Sequence, residues 1–334
     1  MDEAINPPSI TRQIACQHNP INGPITLTVA IPAYNHAQYI DACIAGVLSC
    51  EQRNATEVIV IDDCSQDATV ARAVEMLSAS DVIFRVFRNE TNQGLSYGLD
   101  FLLHAAKGRY FLVCASDDIL IGKALDRLIQ KIDTTGGPPS FEICGAIYIG
   151  SREGPVYDTS QLTRLAADKP AFCTWLSTEI PKPLLLQSTL FNTPFLRRLN
   201  PWADRLTLDD WPTFLRAGLL CLADGLPILF TPEIELTYYR VHEGGLHTNA
   251  ERQKRACLEV VDKVIPETHK HVARSHVLSE FAVAHLAQGH YAQAWRDYTA
   301  AFASHASMDS LLRAPIAAMA GIVRRILRKQ SSAR

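Results

Sequence analysis

Apolar positions in the first third of the chain fall into short unbroken runs, each followed by a stretch of helical periodicity. Ile25-Thr-Leu-Thr-Val-Ala-Ile31 opens the series. It reads as a strand ended by Pro32-Ala-Tyr-Asn35, because Pro32 has no N–H for a ladder and Asn35 suits a helix N-cap. Tyr39/Ile40, Cys43/Ile44 and Val47/Leu48 then recur at helical spacing, which predicts an amphipathic helix over 36–50 packed on a sheet. Glu57-Val-Ile-Val-Ile61 is a β-branched run of the kind buried on both faces of a parallel sheet. A helix over 68–79 follows, capped by Ser65 or Asp67, and then a strand over 82–87, a helix over 95–106 and a strand over 109–115. Alternation of this kind predicts a doubly wound, mostly parallel, right-handed α/β sheet.

The pattern is less regular downstream. Gly136-Gly-Pro-Pro139 marks a turn and 141–149 another strand, whereas 150–185 reads as irregular, either shaping an acceptor pocket or forming a packed surface excursion. Pro212 sits well in the first turn of a helix, and a further strand starts at Ile234. From about 250 onward only helical patterns appear. Those over 279–289 and 291–302 resemble a single tetratricopeptide-type hairpin. A last helix over 308–328 gathers Leu312, Ile316, Met319, Ile322, Val323, Ile326 and Leu327 on one side, with Arg324, Arg325, Arg328, Lys329 and Arg334 at its end. It either lies on an anionic membrane surface or packs on the protein. The expected organisation is a loose leader over 1–24, an α/β domain over 25–248 with halves 25–135 and 136–248, and a helical accessory domain over 249–334.

Composition narrows the function. With 334 residues, 47% hydrophobic and 20% charged, the chain is ordinary globular material, and a net charge of −3 argues against a nucleic-acid partner. Nine cysteines without a C-x-x-C pair read as reduced, mostly buried thiols of a cytoplasmic protein. The acidic, proline-bearing start is unlike a signal or transit peptide, and no run reaches the roughly 18 to 20 apolar residues of a spanning helix. The expected location is cytoplasmic, free or peripheral at the inner face of the membrane. The first strand end has no G-x-G-x-x-G, which sets aside the dinucleotide oxidoreductases. Residues 32–40 contain no glycine, which argues against a triphosphate-gripping nucleotidyltransferase.

Two strands end in adjacent acids, Asp62-Asp63 and Ser116-Asp117-Asp118, at the sheet edge where open α/β folds place ligands. Paired carboxylates are oxygen ligands for Mg²⁺ or Mn²⁺. A simpler reading has one aspartate capping the helix near Gly122 and the other solvated.

IPAYN (31–35), VIVIDDCSQDAT (58–69), NQGLSYGL (92–99) and SDD (116–118) together resemble, in order and spacing, the family-two glycosyltransferases of the GT-A fold, over about residues 25–245. The resemblance implies a nucleotide-diphosphate-sugar donor, with Pro32, Tyr34 and Asp63 at its base and ribose, Asp117 on the sugar side and Asp118 on a divalent cation, Mn²⁺ or Mg²⁺. It suggests Gln187 beneath the donor sugar, and Arg240 and His242 reaching the diphosphate or metal, with His242 as a metal ligand and His247 a weaker candidate. In Asp209-Asp210-Trp211 it implies the catalytic base, assigned to Asp210 with Asp209 as near alternative; the simpler alternative is a helix cap. Asp100 departs from the asparagine often found in the family. Inverting transfer needs one carboxylate to deprotonate the incoming hydroxyl and one cation to offset the leaving diphosphate's charge. The expectation is a metal-dependent inverting glycosyltransferase acting on a glycan or lipid-linked acceptor. The alternative is a catalytically inactive nucleotide-sugar-binding or interaction protein of the same fold.

Overall fold

The computed structural model describes residues 11–17, 24–52, 55–180, 184–242 and 250–305. β1 (Thr11–Gln17), β2 (Leu27–Ala33), α1 (Ile40–Leu48), β3 (Thr56–Asp62), α2 (Thr69–Ser78), β4 (Ile83–Asn89), α3 (Leu95–Ala105) and β5 (Tyr110–Val113) come first. They are followed by β6 (Ile119–Leu120), α4 (Gly122–Thr135), β7 (Phe141–Gly150), β8 (Gly154–Pro155), α5 (Thr159–Ala167) and α6 (Lys169–Thr178). A 3-10 turn, Leu186–Ser188, leads into β9 (Thr189–Asn192), α7 (Thr193–Leu199), α8 (Asp210–Asp224) and β10 (Ile228–Val241). Three helices close the described chain: α9 (Ala250–Lys263), α10 (Glu267–Ala287) and α11 (Tyr291–Ser304).

The strands form one sheet in the order β1-β4-β3-β2-β5-β9-β7-β10-β6, with β8 beside β7. β4, β3, β2 and β5 run parallel, as do β7 and β10, while β1, β6 and β9 are antiparallel to their neighbours. This is the mostly parallel α/β sheet that the alternation predicts. Every residue of β3 is buried, as its β-branched run requires of a strand covered on both faces. α1 lies tight against β6, since a Cβ on Gly46 would stand 2.5 Å from the Leu120 carbonyl oxygen.

Several local expectations are corrected. The leader contains β1, whose β-prone Thr-Arg-Gln-Ile segment pairs with the edge of β4. Pro32 does not end its strand: β2 continues to Ala33, paired with Asp62 of β3. The reason is that Asp63 N donates to Ala33 O, so the missing N–H of Pro32 faces the β5 side, where pairing stops at Ala30. The helix expected from 36 starts at Ile40, because Asn35 takes a positive φ of 52° and residues 36–39 form turns. Residues 150–185 are not irregular throughout but hold α5 and α6. Asp158 caps the first by accepting from Gln161 N (3.0 Å), and Asp168 accepts from Ala171 N in the second. β10 begins at Ile228 rather than 234, carried past Pro232 by a register shift against β7.

The chain divides into two compact units, Met1–Phe172 with Pro183–His242, and Cys173–Lys182 with Glu243–Arg334. In the second unit, Lys254, His285 and Asp297 are each about 5% exposed or less and mutually bonded, Asp297 receiving Lys254 Nζ at 2.9 Å and His285 Nδ1 at 2.8 Å. The C-terminal helix expected over 308–328, its basic end and His247 lie outside the described residues. No helix among the described residues is long and apolar enough to cross a membrane. Cys43, Cys50, Cys114, Cys144, Cys173, Cys221 and Cys257 are free and buried, and Cys64 is free and half-buried.

Candidate active site

β2, β3 and β5 point their carboxyl ends at one edge, and the loops leaving these strands build the site. After β3, Asp62 turns inward: its Oδ2 accepts from Ser65 N (2.9 Å) and lies 3.5 Å from Arg88 Nε, and burial pushes its pKa up. Asp63 ties down the next loop. Its Oδ1 accepts from Asn89 Nδ2 (2.8 Å) and Gln93 N (2.7 Å), and its Oδ2 accepts from Gly94 N (2.8 Å). A carboxylate offers about four acceptor positions, so three are filled and one remains for a ligand N–H. Near the end of the neighbouring β2, Pro32 is half-buried, and Tyr34 in the loop that follows is 44% exposed. Asn35 and Ser65 join the two loops, since Asn35 N donates to Ser65 Oγ and Gln66 N to Asn35 Oδ1.

Past β5 the chain does not continue as a strand but folds into a turn closed by Asp118 N donating to Ala115 O (2.9 Å). This turn carries Ser116, Asp117 and Asp118, and the end of β10 grips it. Arg240 N donates to Asp118 Oδ1 (2.7 Å), Arg240 Nε donates to the Asp117 carbonyl (2.8 Å), and His242 Nε2 donates to Asp117 Oδ2 (3.0 Å). Asp118 is 1% exposed, and its Oδ2 has no hydrogen-bond partner among the described residues. Burial, and then the charge of Asp117, raises the Asp118 pKa well above the usual carboxylate range. Four of the residues singled out in the sequence, Asp117, Asp118, Arg240 and His242, are therefore in direct contact although they lie more than 120 positions apart.

Asp209 and Asp210 stand at the start of α8. Asp210 Oδ1 accepts from Trp211 N (2.6 Å), and desolvation raises its pKa to about 6. Tyr239 links the two groups of acids: burial, and then the charges of Asp118, Asp210 and Asp117, push its phenol pKa up. Gln187 is half-buried in the 3-10 turn before β9 and is not part of this hydrogen-bonded group. Asp100 engages His104 on α3, whose Nδ1 meets the Asp100 carbonyl at 2.8 Å, and lies apart from the acids.

Three participants, His36, Ser116 and Tyr39, are given no role in the site by the sequence reading. His36 Nδ1 is hydrogen-bonded to Ser116 Oγ (2.7 Å), and the Tyr39 ring lies 5.7 Å from that of His36, 5.2 Å from that of His242 and 5.1 Å from the Arg240 guanidinium carbon. Tyr39 matches the helical period and so reads, in sequence, as a residue packed on the sheet. It caps α1 instead and faces the site. The juxtaposition of Asn35 with an imidazole at 36 is the available signal for His36, while Ser116 gives none beyond its place in SDD.

The donor set suits a hard cation. Two carboxylates, one bearing an orphaned buried oxygen, with an imidazole beside them fit Mn²⁺ or Mg²⁺. Among the described residues no three His, Cys, Asp or Glu side chains form a ready cage. The arrangement therefore suits a cation completed by phosphate oxygens and water rather than a closed structural metal.

A sheet of this order, with acids at the ends of β3 and β5 and a further acid at a helix start across the edge, defines the GT-A class of nucleotide-sugar folds. Residues 28–182 match glycosyl transferase family 2. The succinoglycan biosynthesis protein ExoO of Rhizobium meliloti is 29% identical over 139 residues, 42% of this chain and 39% of that protein. Glycosyltransferase GlyG of Streptococcus pneumoniae is 27% identical over 106 residues, 32% of this chain and 35% of that protein. The matches thus span less than two-fifths of these relatives. Among solved structures, the mannosyltransferase PcManGT of Pyrobaculum calidifontis in complex with GDP-Man and Mn²⁺ superposes with a TM-score of 0.58 at 19% identity, covering 89% of this chain and 80% of that one. S. aureus TarS 1-349 in complex with UDP-GlcNAc gives 0.52 at 17% identity, covering 87% and 79%. Residues 28–182 are thus similar to the family 2 glycosyltransferases, and the fold is that of the GT-A class.

Proposed function

We propose that this protein transfers a sugar from a nucleotide-diphosphate donor to a hydroxyl of a glycan or lipid-linked acceptor, with inversion and with a divalent cation. One observation carries the reading: Asp118, buried and with an oxygen left without a partner, sits beside Asp117 on a turn that Arg240 and His242 clamp at the ligand edge of the sheet. A charge so desolvated is costly unless a ligand answers it. The Mn²⁺ and GDP-Man held by PcManGT support the same assignment. Assembly of a polysaccharide on the cytoplasmic side is the setting proposed, in keeping with the succinoglycan role named for ExoO.

In this scheme Pro32, Tyr34 and Asp63 hold the base and ribose, with Tyr34 stacking and Asp63 accepting from the base. Asp117 orients the donor sugar and Gln187 lines its floor. Asp118 and His242 hold the cation, and Arg240 keeps the turn in register through its backbone N–H and Nε. When bound, the cation offsets the negative charge that develops on the departing diphosphate. Asp210 takes the proton from the acceptor hydroxyl as its oxygen attacks the anomeric carbon, and the nucleoside diphosphate leaves from the opposite face. A base with a pKa of about 6 is ionised at neutral pH yet more basic than an exposed aspartate.

Calorimetric titration with a panel of nucleoside diphosphates, with Mn²⁺, with Mg²⁺ and with chelator, tests the reading in wild type and in Asp118→Ala. It predicts binding of one diphosphate that needs metal and that the variant largely loses. A protein that binds no diphosphate under any of these conditions is not a donor-using transferase, and the inactive-relative reading then replaces this one.

A further inference from the structure

The carboxylate turn is held from two sides. β10 holds it through Arg240 and His242, and from the opposite end of the sheet edge the loop after β2 reaches it through His36. The His36 imidazole spends Nδ1 on Ser116 Oγ at 2.7 Å, and Ser116 is 1% exposed, so water does not substitute readily for that bond. The His36 backbone is itself fixed, because His36 N donates to Thr69 Oγ1 (2.8 Å) and Ala37 N donates to Asp67 Oδ2 (3.0 Å). Tyr39 packs beside both imidazoles, its ring 5.7 Å from that of His36 and 5.2 Å from that of His242. The His36 and His242 rings are 6.5 Å apart. The same loop bears Tyr34 and follows Pro32 at the end of β2, the residues proposed to hold the base.

We propose that His36 is a positioning residue: through Ser116 it fixes the 115–118 turn to the nucleotide loop, so that the nucleotide and the cation bind in register. The inference rests on the donor-site reading above and assigns a role to a side chain outside the carboxylates and the base. His36 acts on the carboxylates by holding their turn. Losing it therefore weakens the gain in nucleotide affinity that metal provides and leaves the base contacts themselves intact.

The experiment is a double-mutant cycle on His36→Ala and Ser116→Ala, read by calorimetry with the nucleoside diphosphate that wild type binds, in Mn²⁺ and in chelator. Each variant's melting temperature is measured alongside to confirm that it is folded. The expected result is that either single variant lowers the Mn²⁺-dependent gain in affinity roughly three- to tenfold, the range expected for one lost hydrogen bond. Affinity in chelator stays within about twofold, and the double variant is no worse than either single one. His36→Asn, whose carboxamide reaches where Nδ1 lies, restores most of the gain, which a merely space-filling role would not produce. An unchanged gain in His36→Ala, or additive losses in the double variant, overturns the role of His36 and leaves the donor site standing. A wild-type protein with no metal-dependent nucleotide binding overturns the donor-site reading and this inference with it.

Discussion

Asp210→Asn removes one oxygen charge and almost no volume, so it isolates the effect of desolvation on that carboxylate. Its pKa is raised from 3.8 to about 6 in the folded protein because burial disfavours the charged form. A raised carboxylate pKa means that the native state holds the proton more tightly than the unfolded chain. The resulting stability is full below pH 3.8 and is lost as pH rises through 6. With these two values the wild type gives up about 1.6 kcal/mol by pH 5 and about 3 kcal/mol by pH 8, at 1.36 kcal/mol per pKa unit. Asparagine does not titrate, so the variant's advantage over wild type should grow by about 1.4 kcal/mol between pH 5 and pH 8. Urea unfolding at both pH values measures it. If Asp210 is the base proposed above, the same substitution should cut sugar transfer by about a thousandfold or more while donor affinity stays within about twofold. In wild type, kcat/KM should rise with unit slope to a plateau above pH of about 6. A stability difference that does not change with pH would show that Asp210 is not desolvated. Transfer that survives the substitution would move the base to Asp209.

Asp118→Asn should abolish most metal-dependent nucleotide binding and yet raise stability at pH 8, since burial and the neighbouring Asp117 make its ionised form costly; calorimetry and thermal unfolding read the two effects, and a destabilised variant would contradict the second. Glu57→Ala should cost about 3–5 kcal/mol in denaturant unfolding, because it leaves Arg85, paired at 2.9 Å with a carboxylate that is 1% exposed, as an uncompensated charge in the sheet; a loss under about 1 kcal/mol would mean that Arg85 regains water. Gly46→Ala should cost about 1–3 kcal/mol by pushing α1 off the Leu120 carbonyl, and an unchanged unfolding midpoint would refute that close approach.

The parallel half of the sheet is legible in the sequence because its strands are runs of apolar residues alternating with helical periodicity, although the order of the strands is seen only in the structure. β1 is not, since an edge strand of mixed polarity that pairs through one neighbour leaves no periodic trace. α5 and α6 are hidden by their weak apolar spacing, although Asp158-Thr-Ser-Gln161 carries a capping signature that marks the start of α5. At the site, the acids announce themselves by following strands directly. His36 and Ser116 do not, because their pairing spans 80 positions and depends on two loops meeting, which no local pattern encodes. Tyr39 misleads for a physical reason: a helix N-cap occupies the same angular position as the first turn of an apolar face, so periodicity alone cannot distinguish a core ring from one that closes a site.

Three acids at this edge, Asp62, Asp118 and Asp210, have pKa values raised first of all by burial. Arg88 at 3.5 Å from Asp62 and Arg240 beside Asp118 offset that cost only in part. Elsewhere the same fold neutralises its buried acids directly, Glu57 with Arg85 and Glu142 with Lys131. The contrast is between acids that close a sheet and acids left short of partners where strands end. A domain with a net stability of some 5–15 kcal/mol tolerates few such charges. Asp62 explains itself as the acceptor that shapes the turn at Ser65. Asp62 and Asp118 each keep one buried oxygen without a hydrogen-bond partner among the described residues, and Asp210 is bonded to the backbone N–H of the residue after it. In the proposed mechanism the cost at Asp118 is matched by the cation and that at Asp210 by the proton of the acceptor hydroxyl.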